Sequence, residues 1–406
     1  MFMYHPEKKT LERYADVLVN FALNGGKGLR KGEVVHLVCY EAAKPLYMEL
    51  KRAIYKAGGH VISDYRPDSG ERFPFDRTFF ELAKPHQLSF FPAKYARGLV
   101  DEMDHTIFIV SEVDMHELEG IDPKKIMQRG LAWKPYMDWR RDKENKGKYT
   151  WTVAMYGTDA MAKEAGLSEK EYWGQIIKAC YLDKKDPVKE WHKIYRKMEE
   201  IRRKLNALDI EKLHITGPDA DLWISLGQKR QWVCGSGRNV PSFEHFTSPD
   251  WRGTEGWIRF NQPLYRYGVH IEGVELWFEK GRVVKSKARK NEKVLKHMIA
   301  TENADKVGEY SLTDKRLSRI TKFMAETLYD ENMGGAYGNT HLALGKSYQD
   351  CFIEDPGELS PKDWEDLGFN DSSVHTDIIS TAPRTVTATL RSGKEKVVYK
   401  NGLFTL

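Results

Sequence analysis

The chain has 406 residues, 41% of them hydrophobic and 12% aromatic, which is enough for a sizeable core and excludes a largely disordered protein. Its net charge of +5 at pH 7 is small for this length, so charge alone does not indicate a nucleic-acid-binding protein. At roughly 150 residues per domain, the length predicts two domains, or three.

The four cysteines are far apart and form no CxxC pair: they are Cys39, Cys180, Cys234 and Cys351. A zinc finger, an iron–sulfur site and a disulfide framework are therefore not indicated. The first residues lack the apolar segment of a signal peptide, and no apolar run reaches the ~18 residues that a membrane helix needs. We therefore expect a cytoplasmic protein without a membrane partner.

The first half of the chain alternates between strand and helix patterns. An amphipathic helix follows Thr10, and the apolar runs EVVHLVCY (33–40), HVISDY (60–65) and HTIFIVSEV (105–113) are typical of buried strands. Helical patterns separate these runs, and a long amphipathic helix covers Pro187 to Leu205. This alternation predicts an α/β N-terminal domain, residues 1–209, with a mostly parallel sheet and flanking helices.

Two segments of this half resemble nucleotide or nucleic-acid motifs. The glycine-rich GGKGLRKG (25–32) precedes a strand and lacks the GK[ST] of a phosphate loop, so we interpret it as a connecting loop. Residues 121–145 form a basic helical pattern with interleaved tryptophans. A solvated helix with aromatic anchors explains this pattern better than a nucleic-acid surface, and we expect no nucleic-acid partner.

From residue 210 onward, short strands and turns dominate. Lys280-Gly281, Ser392-Gly393 and Asn401-Gly402 are turn signals, and two helices are predicted, at Lys290 to Thr301 and at Asp314 to Leu328. The pattern predicts an α+β C-terminal domain, residues 210–406.

Side chains of the kind that bind divalent metals are dense between Glu331 and Asp377. This stretch contains carboxylates, imidazoles and a phenol, namely Glu331, His341, Tyr348, His375 and Asp377. His375 and Asp377 are two residues apart, so a strand would direct both to one side. Taken singly, each residue is better explained as a core or turn residue.

Two acidic residues upstream stand among apolar neighbours. Glu244 lies between Phe243 and Phe246, and Glu309 lies in VGEYSL (307–312). A carboxylate buried in such surroundings needs a partner, because burying a lone charge is costly. An exposed loop position is the alternative for each.

Together these segments resemble the thermophilic aminopeptidases, the metallopeptidases of the aminopeptidase T and S type. The resemblance rests on NVPSFEHFTSP (239–249), IEGVELWFEKGRVV (271–284), VGEYSL, DENMGGAYGNTHLALGKSY (330–348) and HTD (375–377), which occur in the order of that family. It implies a homodimeric enzyme that removes N-terminal residues from peptides, using two divalent ions of cobalt, zinc or magnesium and a water that they activate.

The resemblance also implies roles for individual residues. The metal ligands would be Glu244, Glu309, His341, Tyr348, His375 and Asp377, and the catalytic groups would be Glu309, Glu331 and Tyr348. Which glutamate bridges the ions and which acts as general base stays open.

Some positions depart from the family pattern. Phe243 replaces the usual glycine, His245 replaces the usual valine, and the segment between Glu331 and His341 is longer by a few residues. His245 adjoins Glu244 and would point the other way in a strand, so we do not expect it to be a ligand. The alternatives are a two-metal hydrolase of another class, such as an amidohydrolase or phosphatase, and a binding protein that retains the fold.

Overall fold

The computed structural model describes residues 4–266 and 269–406. The chain divides into two compact units. Unit 1 comprises Met1–Tyr195, Ser236–Ser242 and Phe323–Leu328, and unit 2 comprises Arg196–Gly235, Phe243–Lys322 and Tyr329–Leu406. The division into domains at residue 209 stays a prediction.

The α-helices are α1 (Lys8–Val17), α2 (Leu23–Gly26), α3 (Lys44–Lys56), α4 (Phe75–Leu82), α5 (Pro85–Leu88), α6 (Ala93–Glu102), α7 (Pro123–Ala132), α8 (Lys134–Asn145), α9 (Asp159–Glu164), α10 (Glu169–Ala179), α11 (Pro187–Asn206), α12 (Glu292–Ile299), α13 (Thr327–Asp330) and α14 (Pro361–Asp366). One π-helical segment, Leu18–Ala22, follows α1. Among the described residues, no helix is both long and apolar enough to cross a membrane.

The strands are β1 (Val34–Tyr40), β2 (His60–Arg66), β3 (His105–Val110), β4 (Thr150–Met155), β5 (Ile210–Gly217), β6 (Ala220–Ser225), β7 (Val233–Cys234), β8 (Asn239–Val240), β9 (Glu244–Thr247), β10 (Asp250–Arg259), β11 (Leu264–Arg266), β12 (Val269–Ile271), β13 (Glu275–Glu279), β14 (Arg282–Lys287), β15 (Val307–Thr313), β16 (Asn339–Gly345), β17 (His375–Ser380), β18 (Thr385–Leu390), β19 (Glu395–Lys400) and β20 (Leu403–Phe404).

Unit 1 is built on a five-stranded parallel sheet in the order β2-β1-β3-β4-β8. The middle of β1 is buried from Val35 to Cys39, as its apolar sequence predicts, and α3 packs against β1 and β2. The predicted α/β fold with a mostly parallel sheet and flanking helices is confirmed.

The two larger antiparallel sheets of unit 2 share one core. The larger sheet has the order β14-β13-β10-β6-β5-β18-β19-β20, and the smaller has the order β17-β16-β15-β9-β7. Leu222 and Leu276 of the larger sheet share a hydrophobic cluster with Leu312 and Leu342 of the smaller one. The smaller sheet therefore buries one face in this core, which leaves its other face for polar side chains.

The predicted helix at Asp314 to Leu328 is wrong, because only its last two residues lie in a helix, α13. Asp314 is fully buried, and its carboxylate accepts hydrogen bonds from Arg316 and from the backbone N–H of Phe404. Ser318 donates to the carbonyl of Asn332. These tertiary hydrogen bonds hold the segment in an irregular path and override its helical periodicity.

Candidate metal centre

Four neighbouring strands of the smaller sheet of unit 2 bring candidate ligands to one face. In β15, Tyr310 and Leu312 belong to the hydrophobic core, so the alternate residues Glu309 and Ser311 face the other way. All seven residues of β15 are buried, and so are all seven of β16. The polar face of these strands is therefore enclosed, and its charged groups need partners.

The strand register places the candidate residues side by side. On β9, Glu244 pairs with Thr313 of β15, and on β16, His341 pairs with Ser311 of the same strand. On β17, Asp377 pairs with Ala343 of β16. The ligand-bearing positions thus fall on adjacent strands and on the same side of the sheet.

A glycine closes β16 where that strand meets β17. Gly345 pairs with His375 and has a φ of +102°, and a Cβ at this position would overlap the carbonyl oxygen of Val374. A residue with a side chain would push β17 away. Gly345 therefore allows the close approach that places His375 and Asp377 in the cluster.

His341 stands at the centre of the cluster, with its Nε2 atom facing carboxylates. Nε2 lies 3.1 Å from Oε1 of Glu309, 3.3 Å from Oε2 of Glu244 and 3.9 Å from Oδ1 of Asp377. The His341 side chain is 1% exposed. Its Nδ1 atom has no hydrogen-bond partner among the described residues.

Glu309 connects His341 to a second imidazole. Its Oε2 atom lies 3.6 Å from Nε2 of His375, which in turn lies 3.4 Å from Oδ1 of Asp377. The carbonyl of Lys346 accepts a hydrogen bond from Nδ1 of His375 at 2.8 Å. This bond fixes the Nδ1 proton and the orientation of the ring, so that Nε2 faces the carboxylates.

Glu331 follows α13 and joins the same cluster. One of its carboxylate oxygens lies within 4.8 Å of ligand atoms of His341 and Asp377. Asn332 donates a hydrogen bond from Nδ2 to Oε1 of Glu331 at 3.3 Å and accepts one from the backbone N–H of Phe243 at 2.6 Å. Asn332 therefore links the segment carrying Glu331 to the segment preceding Glu244.

Tyr348 lies at the edge of the cluster. Its ring centroid is 4.8 Å from that of His375 and 5.7 Å from that of Phe246, and its backbone N–H donates to Oγ of Ser248. Burial and the charges of the surrounding carboxylates raise the pKa of Tyr348 well above its ordinary value. The phenol is therefore protonated at neutral pH.

His245 lies on the opposite face of β9. It pairs with Leu312 in the register, and its Nε2 is 2.9 Å from the carbonyl oxygen of Met198. Burial lowers the pKa of His245 to about 4, so it is neutral. The structure does not bring His245 to the cluster.

The carboxylates dominate the electrostatics of the site. Burial alone would lower the pKa of His341, but its hydrogen bond to Glu309 and the charge of Glu244 outweigh this and raise the pKa to about 9. Burial would also lower the pKa of His375, but the charge of Asp377 outweighs it, and this pKa is likewise raised to about 9. Two imidazoles whose pKa rises although burial opposes their charge indicate a strongly negative potential.

This donor set fits divalent metal ions. Four carboxylates and two imidazoles converge in three overlapping groups of oxygen and nitrogen atoms, each group within 4.8 Å: Glu244, Glu309 and His341; Glu309, His375 and Asp377; Glu331, His341 and Asp377. Carboxylate oxygen and imidazole nitrogen are ligands for zinc, cobalt and related ions. Four carboxylates exceed the charge that two histidines can balance, so a bound cation would stabilise the cluster.

Sequence reasoning did not single out Asn332 and Ser311. Ser311 donates a hydrogen bond to Oε2 of Glu244 at 3.4 Å, and Asn332 holds Glu331. Asn332 directly follows Glu331, and an amide beside a ligand-type residue was a usable signal in the sequence. Ser311 gives no such signal, because only the register places it opposite His341.

The fold and the carboxylate–imidazole cluster indicate a metal-binding protein. The family described as thermophilic metalloprotease (M29) matches residues 7–404. The chain therefore belongs to this family.

Full-length relatives agree with this assignment. The chain is 28% identical to aminopeptidase PepS of Streptococcus thermophilus, over 97% of this chain and 98% of that protein. It is also 28% identical to aminopeptidase T of Thermus thermophilus, over 91% and 92% of the two chains. The solved structure of wild-type AmpT from Thermus thermophilus superposes with a TM-score of 0.81 at 25% identity, covering 98% of this chain and all of that one.

These matches confirm the predicted family, and with it the predicted enzyme class, a metallo-aminopeptidase among the hydrolases. A divalent metal cofactor follows from the family, and the carboxylate–imidazole cluster supplies groups that fit it.

Proposed function

We propose that the chain hydrolyses the N-terminal peptide bond of peptides at a site holding two divalent ions. The observation that carries this proposal is the position of Glu309, whose two oxygens face different histidines: Oε1 is 3.1 Å from His341 and Oε2 is 3.6 Å from His375. A carboxylate placed in this way can bridge two ions, one beside each imidazole.

The remaining ligands divide around this bridge. Glu244 would join His341 on one side, and Asp377 would join His375 on the other, because these pairs are 3.3 Å and 3.4 Å apart. Tyr348 would act as a further ligand or as a hydrogen-bond donor to the developing oxyanion. The native ions would be zinc, cobalt or magnesium.

Glu331 fits the role of general base. Both oxygens of Glu309 are directed at imidazoles, whereas Glu331 lies beside the cluster with its Oε1 held by Asn332. It would accept a proton from the attacking water and deliver it to the nitrogen of the leaving amine as the carbon–nitrogen bond breaks. Bound divalent ions would lower the pKa of the water, polarise the scissile carbonyl and hold the free α-amine of the substrate.

The resemblance to aminopeptidases also supports peptide substrates with a free N-terminus and a homodimeric assembly. All four cysteines are buried free thiols, which supports a reducing compartment such as the cytoplasm. We propose no nucleic-acid partner.

Metal removal tests this proposal. Hydrolysis of an aminoacyl-nitroanilide should fall to background after dialysis against EDTA and return when zinc, cobalt or magnesium is added. Titration of the restored activity against bound metal should reach its maximum at two ions per chain. Full activity in the metal-free protein, or saturation at one ion, would contradict the two-ion site.

Substrate blocking separates an aminopeptidase from another two-metal hydrolase. A short peptide with a free N-terminus should be cleaved, and the same peptide acetylated at its N-terminus should not. Equal cleavage of both, or hydrolysis of a phosphate monoester in place of either, would indicate an amidohydrolase or a phosphatase. Absence of any hydrolysis by metal-loaded protein would favour a binding protein that retains the fold.

A further inference from the structure

Unit 1 contains a cavity of about 750 Å³ that is separate from the carboxylate–imidazole cluster in its residues. Its walls come from segments that follow the parallel strands: Ala42 follows β1, Asp68 follows β2, Asp114 follows β3 and Tyr156 follows β4. The cavity therefore lies at the carboxyl ends of the sheet.

The order of the strands makes this position significant. β1 pairs with β2 on one side and with β3 on the other, so the chain leaves β1 in one direction and later returns on its opposite side. In open parallel sheets, ligands bind in the crevice outside the carboxyl ends at this reversal. The volume also falls within the range of about 300–1,000 Å³ that is typical of small-molecule sites.

The lining is acidic, although the chain as a whole carries a net charge of +5. Its carboxylates are Asp68, Glu71, Asp114, Asp159, Glu164 and Glu169, and its single lysine is Lys163. Lys163 pairs with Asp159, and His116 lies 2.9 Å from Glu164. In the described part of the chain, Asp68, Glu71 and Asp114 form no ion pair, so three negative charges are left without a cationic partner.

Tyr156 supplies a second and independent sign of a ligand. The residue is 6% exposed and lines the cavity, and its hydroxyl has no hydrogen-bond partner among the described residues. Its ring packs edge-to-face on Trp173, with 4.9 Å between centroids, which fixes the orientation of the hydroxyl. A hydroxyl held in this way at the wall of an open cavity is available to a polar group of a ligand.

We propose that this cavity binds an organic cation that carries a primary ammonium group, held by Asp68, Glu71 and Asp114 and by the hydroxyl of Tyr156. An ammonium group has three N–H donors and no acceptor, so it complements carboxylate and phenol oxygens. The cavity is too large for a single ion but accommodates an alkylammonium chain along the apolar side chains of Val113 and Met115. The ligand is a free diamine or a lysine side chain of a peptide.

Calorimetric titration of the metal-loaded enzyme tests the proposal, with two probes that distinguish these sources. Cadaverine represents a free diamine, and Nα-acetyl-lysine amide represents a lysine side chain without a cleavable N-terminal residue. At least one of the two should bind with one site per chain, and the tighter probe identifies the source. Raising the salt concentration should weaken this binding, because charge carries it.

Single substitutions locate the bound probe. Asp68→Asn and Asp114→Asn should each weaken binding by about tenfold, and Tyr156→Phe should weaken it by about threefold, while nitroanilide hydrolysis stays unchanged. Glu102→Gln is the matched control, because Glu102 is exposed in the same unit outside the cavity and the change removes one charge. This variant should bind like the parent protein. Melting temperatures verify that each variant folds.

Three outcomes would overturn the proposal: neither probe binds, binding is equal in the parent and the three cavity variants, or magnesium chloride alone competes for the site. Loss of nitroanilide hydrolysis in a folded Tyr156→Phe variant would also contradict a site independent of the metal centre. The proposal does not depend on the aminopeptidase mechanism, since cadaverine binding is measured directly.

Discussion

Two charge clusters in this molecule are built differently. In unit 1, Asp64 is paired with a guanidinium and an imidazole: Nε of Arg66 donates to Oδ1 at 3.0 Å, and Nε2 of His36 lies 3.6 Å from Oδ2. In unit 2, four carboxylates converge on His341 and His375, whose pKa values both rise. A cluster that balances its own charge is a structural feature, whereas a surplus of one sign indicates that an ion from outside completes it.

The largest expected difference between the two clusters is in kcat/KM, after one acid of each cluster is replaced by its amide. Glu309→Gln removes the charge that faces both imidazoles and should lower kcat/KM by about a thousandfold or more. Asp64→Asn should leave kcat/KM unchanged. Steady-state hydrolysis of an aminoacyl-nitroanilide measures both variants, with bound metal determined in parallel.

The exposed Glu279, at the end of β13, offers a control within unit 2 itself. Glu279→Gln should retain parental turnover. A folded Glu309→Gln variant with parental kcat/KM and metal content would remove Glu309 from the site.

Asn332 tests whether the metal centre depends on neighbours that carry no charge. Asn332→Ala removes the hydrogen bonds to Glu331 and to the N–H of Phe243, and should lower kcat by about 10- to 100-fold with a much smaller change in KM. Asn332→Asp retains an acceptor for Phe243 but loses the donor to Glu331, and should recover less than a tenth of the parental kcat.

Asn370 provides the matched comparison, because it is a buried asparagine that donates to the carbonyls of Asn303 and Gly345 and not to a carboxylate of the cluster. Asn370→Ala should lower the melting temperature and keep the turnover of each folded molecule. Equal losses of kcat in the two alanine variants would indicate that Asn332 acts only on stability.

The smallest expected effect is on the free energy of unfolding, and it concerns Asp64 in the charge-balanced cluster of unit 1. The contact with His36, and after it the ion pair with Arg66, keeps the pKa of Asp64 below its ordinary value despite partial burial. A folded pKa below the unfolded pKa stabilises the protein above about pH 4, and this stabilisation is lost as the pH falls through the folded value.

Asp64→Asn should therefore lower the free energy of unfolding of the parent protein at pH 7 by about 1 kcal/mol, since the pair is partly exposed. The difference between parent and variant should shrink as the pH is lowered below about 4. Urea unfolding at pH 7 and at lower pH values measures it. A difference that grows towards acid pH would mean that the charge of Asp64 is not what stabilises the contact.

Much of the fold could be predicted from the chain, because local patterns dictate it. The apolar run that forms β1 is buried on both sides of a parallel sheet, as such runs are, and the spacing of His375 and Asp377 puts both on one face of β17. Glu244 and Glu309 stand among apolar residues that form buried strands, but it was the family resemblance that singled them out as candidate ligands.

Long-range pairing could not be predicted in the same way. Nothing near His341 in the sequence indicates that Ser311 lies opposite it, and nothing near Asp314 indicates that its carboxylate binds the N–H of Phe404. Because this bond was not foreseeable, the helical periodicity of residues 314–328 led to a wrong helix prediction. Both contacts depend on hydrogen bonds between residues that are distant in the sequence, and local sequence patterns do not predict such bonds.

The position of β15 between β9 and β16 has a consequence for refolding. Glu309 meets His341 and His375 only when β16 and β17 have paired in the correct order, and a slip of one residue in β16 would turn His341 towards the hydrophobic core. Chains that have collapsed out of register would already have their far-ultraviolet signal but would turn over no substrate. The return of catalysis after dilution from urea therefore requires the correct register of β16 and β17, which circular dichroism alone does not report.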